Sequence, residues 1–233
     1  MRINIICAEC SAGNAGHGIY FIEEIRDDGL YMGRCPVGHE VCVGTQTLRH
    51  EMLFEIALNA LVDGYRREAV ASFAAAVERF YEFALEVISD ASSLDSAVFD
   101  AAWKEVAAQS ERQLGGFVLA WTLQFKRKPS TLSADMTQLR NSVIHKGVLP
   151  DRSQAREFGR HAYEIIQTGI RDLRDAHINS VYSVLGRRVA KVAEGMVNQY
   201  PRSFQVTPTA INLIDDYSNG FTPFDEILRQ RGL

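Results

Sequence analysis

The chain has 233 residues, of which 46% are hydrophobic and 23% charged, and a formal net charge of -4. This composition excludes collagenous, low-complexity and wholly disordered classes, and the length allows one large domain or a domain with a small module. Taken as a sum, the mild acidity argues against nucleic acid, because phosphate binding needs clustered Lys and Arg.

No stretch reaches the roughly 20 apolar residues that span a bilayer, Phe117 to Leu123 being among the longest. The segment Met1 to Cys10 has no apolar core followed by a small-residue cleavage site, so no signal peptide is expected. A cytoplasmic protein is expected, and its four cysteines then need a reason other than disulfides.

All four lie in the first 42 residues: Cys7, Cys10, Cys35 and Cys42. Cys7 and Cys10 form a C-x-x-C pair, and 24 residues later comes Cys35-Pro36-Val37-Gly38-His39. Two short-spaced ligand pairs around a hairpin-sized insert suit tetrahedral zinc in a closed structural site. The insert is expected to be strands, with Ile19, Phe21 and Ile25 on one side, Asp28-Gly29 as the turn and Leu30 to Arg34 returning. Residues 1–45 resemble a zinc ribbon, and the Cys-Pro-x-Gly-His run resembles its second knuckle, with Gly38 turning the backbone so that amides face the sulfur. Expected ligands are Cys7, Cys10, Cys35 and His39, with Cys42 as the alternative fourth ligand. Zinc here would hold the module together and do no chemistry.

From residue 46 the periodicity becomes helical. Helices are expected over Gln46 to Val62, Tyr65 to Ile88, Ser93 to Glu111, Phe117 to Phe125, Ser133 to Lys146, Arg152 to Ala176 and Asn179 to Val197. The strongest carries Val70, Phe73, Val77, Phe80, Tyr81, Ala84 and Ile88 as one apolar stripe. Ser133 and Gly147 read as N-cap and C-cap of the fifth. The tail from Tyr200, with Pro201, Pro208 and Pro223, reads as loops with short helices. The fold class expected is mainly α: a helical bundle over 46–176 and a helical extension over 177–233, preceded by a small β module.

The segment Arg140-Asn141-Ser142-Val143-Ile144-His145-Lys146-Gly147 carries the chemistry. Asn141 and His145 are four apart and share a helix face. Arg140 and His145 are five apart, roughly 140° around the helix, so Arg140 reaches part-way or a second subunit completes the site. His145 falls in the last turn, and an imidazole suits general acid-base catalysis near neutral pH. An arginine fork can bind phosphate and stabilise a charged transition state. Asn141 would orient the histidine or bind a substrate oxygen. No carboxylate cluster accompanies them, so no catalytic magnesium is implied.

Arg140-Asn141-x-x-x-His145 resembles the hallmark of the HEPN superfamily, in which an arginine and a polar residue precede a histidine on a helical bundle. The resemblance covers residues 46–176 as architecture and six residues as motif. It implies a metal-independent endoribonuclease, with a composite active site in a homodimer, in which His145 activates the 2′-hydroxyl or protonates the leaving oxygen and Arg140 stabilises the phosphorane. It also implies RNA as substrate, a toxin or antiviral defence role, and an antitoxin or regulatory partner. HEPN-like domains without nuclease activity imply the alternative: a non-catalytic binding or scaffold module for a protein, nucleotide or RNA.

Other residues carry plainer expectations. His17 and His50 should face solvent, and His161 and His177 should pack without catalytic partners. Trp103 and Trp121 should be core. Glu78 and Glu82 should be exposed or networked rather than catalytic. Splitting the charge corrects the opening inference: residues 1–125 carry -9, residues 126–174 carry +5, and residues 175–233 are neutral. The motif lies inside the basic window, with Lys126, Lys128 and Lys146 as the expected substrate-binding cations.

Overall fold

The computed structural model describes residues 2–13, 20–197, 200–213 and 220–233. The chain divides into two compact units. Unit 1 joins Met1–Leu48 to Leu185–Pro208, and unit 2 joins Arg49–Val184 to Thr209–Leu233. The extension expected over 177–233 is therefore shared between them. The protein is mainly helical, and none of the described helices is long and apolar enough to cross a membrane.

In unit 1, β1 (Arg2–Ile6) pairs antiparallel with β2 (Tyr20–Glu24), and the short helix α1 (Ala8–Ala12) follows β1. β3 (Leu30–Arg34) pairs antiparallel with β4 (Glu40–Thr45). The insert hairpin expected between residues 19–25 and 30–34 does not form, because each of those strands takes a partner outside the insert. The turn itself is present. Gly29 N–H donates to Arg26 O at 3.1 Å, Gly29 has φ +65°, and Leu30 N–H donates to Asp28 Oδ1 at 3.1 Å. His17 and Ile19 lie outside the described residues.

Unit 2 begins with α2 (Arg49–Val62) and α3 (Arg66–Ala91), which pack together along most of their length. The expected helix over Ser93 to Glu111 is two helices, α4 (Ser96–Val106) and α5 (Ser110–Phe125). Asp95 caps α4 by accepting from Ala97 N–H at 2.8 Å, and extended backbone at Gln109 (φ -136°, ψ 125°) separates it from α5. The short helix expected over Phe117 to Phe125 is the second half of α5. α6 (Ala134–Lys146) has the expected caps: Ser133 Oγ accepts from Met136 N–H, and Gly147 closes the helix at φ +68°. α7 (Arg152–Glu194) runs as two helical stretches around a kink at His177 (φ -142°, ψ 42°), and its last turns, from Leu185, belong to unit 1.

The core of unit 2 is aromatic. Phe54 on α2, Phe73, Phe80 and Phe83 on α3, Phe117 and Trp121 on α5 and Phe158 on α7 are fully buried. Burying each such ring contributes ~1.5–3 kcal/mol. His50 belongs to this core as well, contrary to the solvent-facing position expected: its ring lies 5.7 Å from Phe80 and 5.4 Å from Phe83. Trp121 is core as expected, while Trp103 is half-buried and stacks on Phe99 at 6.2 Å.

The tail from Tyr200, expected as loops with short helices, carries one short helix and also a strand among its described residues. β5 (Arg202–Gln205) joins β4 in parallel, giving the sheet order β3-β4-β5. The Gln205 side chain accepts from Ile6 N–H at 3.0 Å and donates to Asn4 O at 2.9 Å, tying β1 to the end of β5. In unit 2, α8 (Phe224–Gln230) follows Pro223, and Phe224 packs among Phe54, Phe73 and Tyr163.

Candidate functional site

Two clusters of chemistry-bearing residues stand out, one in each unit. In unit 1, one ligand atom each from Cys7, Cys10, Cys35 and His39 falls within 4.8 Å of all the others. Cys10 Sγ lies 3.7 Å from Cys35 Sγ, and His39 Nδ1 lies 3.7, 3.2 and 3.7 Å from the sulfurs of Cys7, Cys10 and Cys35. All four cysteines are free thiols. A tetrahedral ion with sulfur bonds near 2.3 Å and nitrogen bonds near 2.05 Å spaces sulfurs about 3.8 Å apart and sulfur from nitrogen about 3.6 Å. The donor set and its spacing therefore fit a four-coordinate metal.

The local backbone accounts for this convergence. Cys7 precedes α1 and Cys10 rides on it, while Gly38 at φ +100° lets the chain double back so that Gly38 N–H donates to Cys35 O at 2.8 Å. Burial pushes the Cys10 thiol up to about 12, reinforced by hydrogen bonds with Cys7 and Cys35. Burial acts on Cys35 in the same direction, but the Val37 and His39 amides and the neighbouring thiols outweigh it and bring Cys35 down to about 7. The amides that lower Cys35 favour the thiolate form that a metal ligand needs. On the far side of the imidazole, Glu9 Oε2 stands 3.6 Å from His39 Nε2. Cys42, the alternative ligand, is fully buried elsewhere: it faces Met32 across the β3–β4 ladder and packs with Leu30 and Met196.

In unit 2 the second cluster centres on α6. Arg140 is 16% exposed, and its guanidinium meets three partners. Nη2 donates to Glu78 Oε1 on α3 at 2.5 Å and to Ser110 Oγ on α5 at 3.2 Å, and Nη1 donates to Asn141 Oδ1 at 2.9 Å. Val143, between the polar residues, is fully buried and anchors the helix. His145 is exposed and has no hydrogen bond or ion pair to any described residue. Arg140 and Asn141 are thus brought together, while His145 stands apart at the helix end. A shallow groove borders the motif, lined by Leu132, Thr137, Gln138, Asn141 and Lys146 among others.

No family model, curated protein or solved structure matches the chain. The site is therefore read from its own chemistry.

Of the expected substrate-binding cations, Lys126, Lys128 and Lys146 are all exposed. Lys126 Nζ donates to Leu123 O at 2.7 Å at the end of α5. Lys128 and Lys146 have no ion pair among the described residues. The arginines of the basic window behave differently. Arg127 pairs with Asp172, Arg156 with Asp225, and Arg160 with Glu157 and Asp225. Glu78 and Glu82 are networked: Glu78 pairs with Arg140, and Glu82 with Arg79, which also donates to Gln113. His161 bonds locally to Glu157, and His177 Nε2 accepts from the Gln124 amide at 2.8 Å. Ser110 escaped sequence reasoning altogether. Glu78 was noticed without its partner, because no spacing rule connects residues 62 positions apart.

Proposed function

We propose that the protein is a metal-independent ribonuclease of the HEPN type, with Arg140, Asn141 and His145 as its working residues. The observation that carries this reading is the division of labour along α6. A solvent-facing imidazole without a protein partner among the described residues ends the helix, and one turn before it a guanidinium is held beside an amide. An imidazole open to solvent can take the proton of a ribose 2′-hydroxyl. The 2′-oxygen then attacks the adjacent phosphorus, the 5′-oxygen leaves and takes up a proton, and the products are a 2′,3′-cyclic phosphate and a 5′-hydroxyl. Arg140 stabilises the charge on the phosphorane, and the exposed Lys126, Lys128 and Lys146 hold neighbouring phosphates. A homodimer would supply a second His145 for the opposite proton transfer. A toxin or antiviral effector restrained by a partner protein is the setting that suits such an activity.

For unit 1 we propose structural zinc on Cys7, Cys10, Cys35 and His39. Four protein ligands close the coordination sphere and leave no position for substrate, so the ion stabilises the small unit and takes no part in cleavage.

A specific observation favours a second reading, a non-catalytic module that binds RNA or protein. The Arg140–Glu78 pair neutralises the guanidinium within the bundle, as a purely structural network would. Growth on induced expression separates the two. A nuclease arrests growth, and Arg140→Ala or His145→Ala relieves the arrest. Unimpaired growth with the parent protein would favour the binding module.

A further inference from the structure

The guanidinium of Arg140 carries five N–H donors, two on each Nη and one on Nε. Its two bidentate faces, Nη1 with Nη2 and Nε with Nη2, both require Nη2. Nη2 is already engaged by two acceptors, Glu78 Oε1 at 2.5 Å and Ser110 Oγ at 3.2 Å. One Nη1 hydrogen is held by Asn141. With Nη2 engaged, Nε–H and Nη1 share no edge of the fork and cannot grip one phosphate together. As the bundle is folded, the motif arginine can touch a phosphate but cannot clamp one.

We infer that Glu78 and Ser110 form a latch that masks a phosphodiester-binding site at Arg140, and that an RNA phosphate must displace the Glu78 carboxylate to engage the guanidinium fork. The inference rests on the reading of Arg140 as a phosphate ligand. Three observations support it besides the donor count. The pair lies at the edge of the core, with Glu78 27% and Arg140 16% exposed, so an anion can compete for it without opening the bundle. The groove lined by Thr137, Gln138 and Lys146 reaches Asn141, itself bonded to the guanidinium. Glu78 and Ser110 sit on α3 and α5, so the latch joins three helices, and any shift of α6 against them changes its grip.

A latch and a support make opposite predictions. If Glu78 merely holds Arg140 in a working position, removing its charge weakens RNA binding. If Glu78 competes with phosphate, removing its charge strengthens it. The probe is a short single-stranded 2′-O-methyl RNA, which has the phosphates but no reactive 2′-hydroxyl, so binding is read without cleavage. Fluorescence anisotropy at fixed ionic strength gives Kd for the full chain. Glu78→Gln should tighten binding about fivefold, the equivalent of one charge-assisted hydrogen bond that no longer competes. Ser110→Ala removes one competing acceptor from Nη2 without changing charge and should tighten binding about twofold. In an Arg140→Ala background both gains should vanish. Glu82→Gln removes the same charge one turn away on α3, where the partner is Arg79, and should leave Kd unchanged.

Unchanged or weaker binding by Glu78→Gln and Ser110→Ala overturns the latch. So does a gain that persists without Arg140 or is matched by Glu82→Gln, which would be a general charge effect. Should Glu78→Gln fail to fold by circular dichroism, Ser110→Ala decides. The same proteins are assayed for RNA cleavage in parallel. An Arg140-dependent gain in binding without cleavage by any of them would retire the nuclease reading and leave the latch standing. Cleavage by the parent without a gain would do the reverse.

Discussion

Replacing Gly169 with alanine tests the packing that brings α7 against α3, the helix that carries Glu78. A Cβ at Gly169 would stand 2.2 Å from Cζ and 2.6 Å from Cε1 of Phe80. Carbon contacts are comfortable near 3.5 Å or beyond, so the ring must retreat by about 1.3 Å. Phe80 is fully buried against His50, Tyr81 and Phe117 and has no open side to retreat into. Overpacking a closed core costs ~1–3 kcal/mol, and so large an overlap belongs at the upper end. Against this, alanine in a helix interior gains ~1 kcal/mol over glycine. The net is a loss of about 2 kcal/mol, which for a unit of this size lowers Tm by about 4–8 °C. Gly115 on α5 is the control, because nothing lies within 4 Å of its added Cβ. There only the helix-propensity gain acts, and Tm should rise by about 2–4 °C. Thermal melts followed at the far-UV helical signal measure both. A Gly169→Ala protein as stable as the parent would refute the close approach of α7 to Phe80.

Two further outcomes follow from the geometry. The purified chain should carry one zinc ion, measured by elemental analysis, and lose it on His39→Ala while keeping it on Cys42→Ser; the reverse pattern would move the fourth ligand to Cys42. Arg231→Leu should destabilise unit 2 by ~2–3 kcal/mol in urea titration, since it strands the buried Glu55, which Arg231 now meets through Nη1 and Nη2. A loss below ~0.5 kcal/mol would mean that water or the backbone N–H of Ala210 compensates Glu55 on its own.

What the sequence made legible was local. Ser133 and Gly147 bracket α6 because capping depends on side-chain oxygen and left-handed backbone within a few residues. Cys7, Cys10, Cys35 and His39 converge because two tight turns each bring a ligand pair together, and only the choice between His39 and Cys42 needed coordinates. What stayed hidden was non-local. The strand at residues 20–24 pairs backward with β1, and no turn chemistry announces that choice. β5 joins β4 in parallel across more than 150 residues of chain, so its partner leaves no trace in spacing. His50 sits at a helix start, a place that usually faces water, yet α3 supplies Phe80 and Phe83 to enclose it. The same limit separates the motif from its latch. Arg140, Asn141 and His145 can be read off one helix, while Glu78 and Ser110 come from two others and meet Arg140 only in the folded bundle. The net acidity of the chain was the least informative number, since Lys128 and Lys146 remain exposed and unpaired among the described residues while most arginines of the basic window are neutralised.

The central claim is that α6 cuts RNA through its own side chains. Its most direct test is incubation of single-stranded RNA with the zinc-loaded protein in magnesium-free buffer, with chemical mapping of the product ends. The parent should leave 2′,3′-cyclic phosphate and 5′-hydroxyl ends, His145→Ala should lower the rate by about 100-fold or more, and 2′-deoxy substrates should remain whole. Cleavage that persists in His145→Ala, or intact RNA with the parent protein, would contradict it.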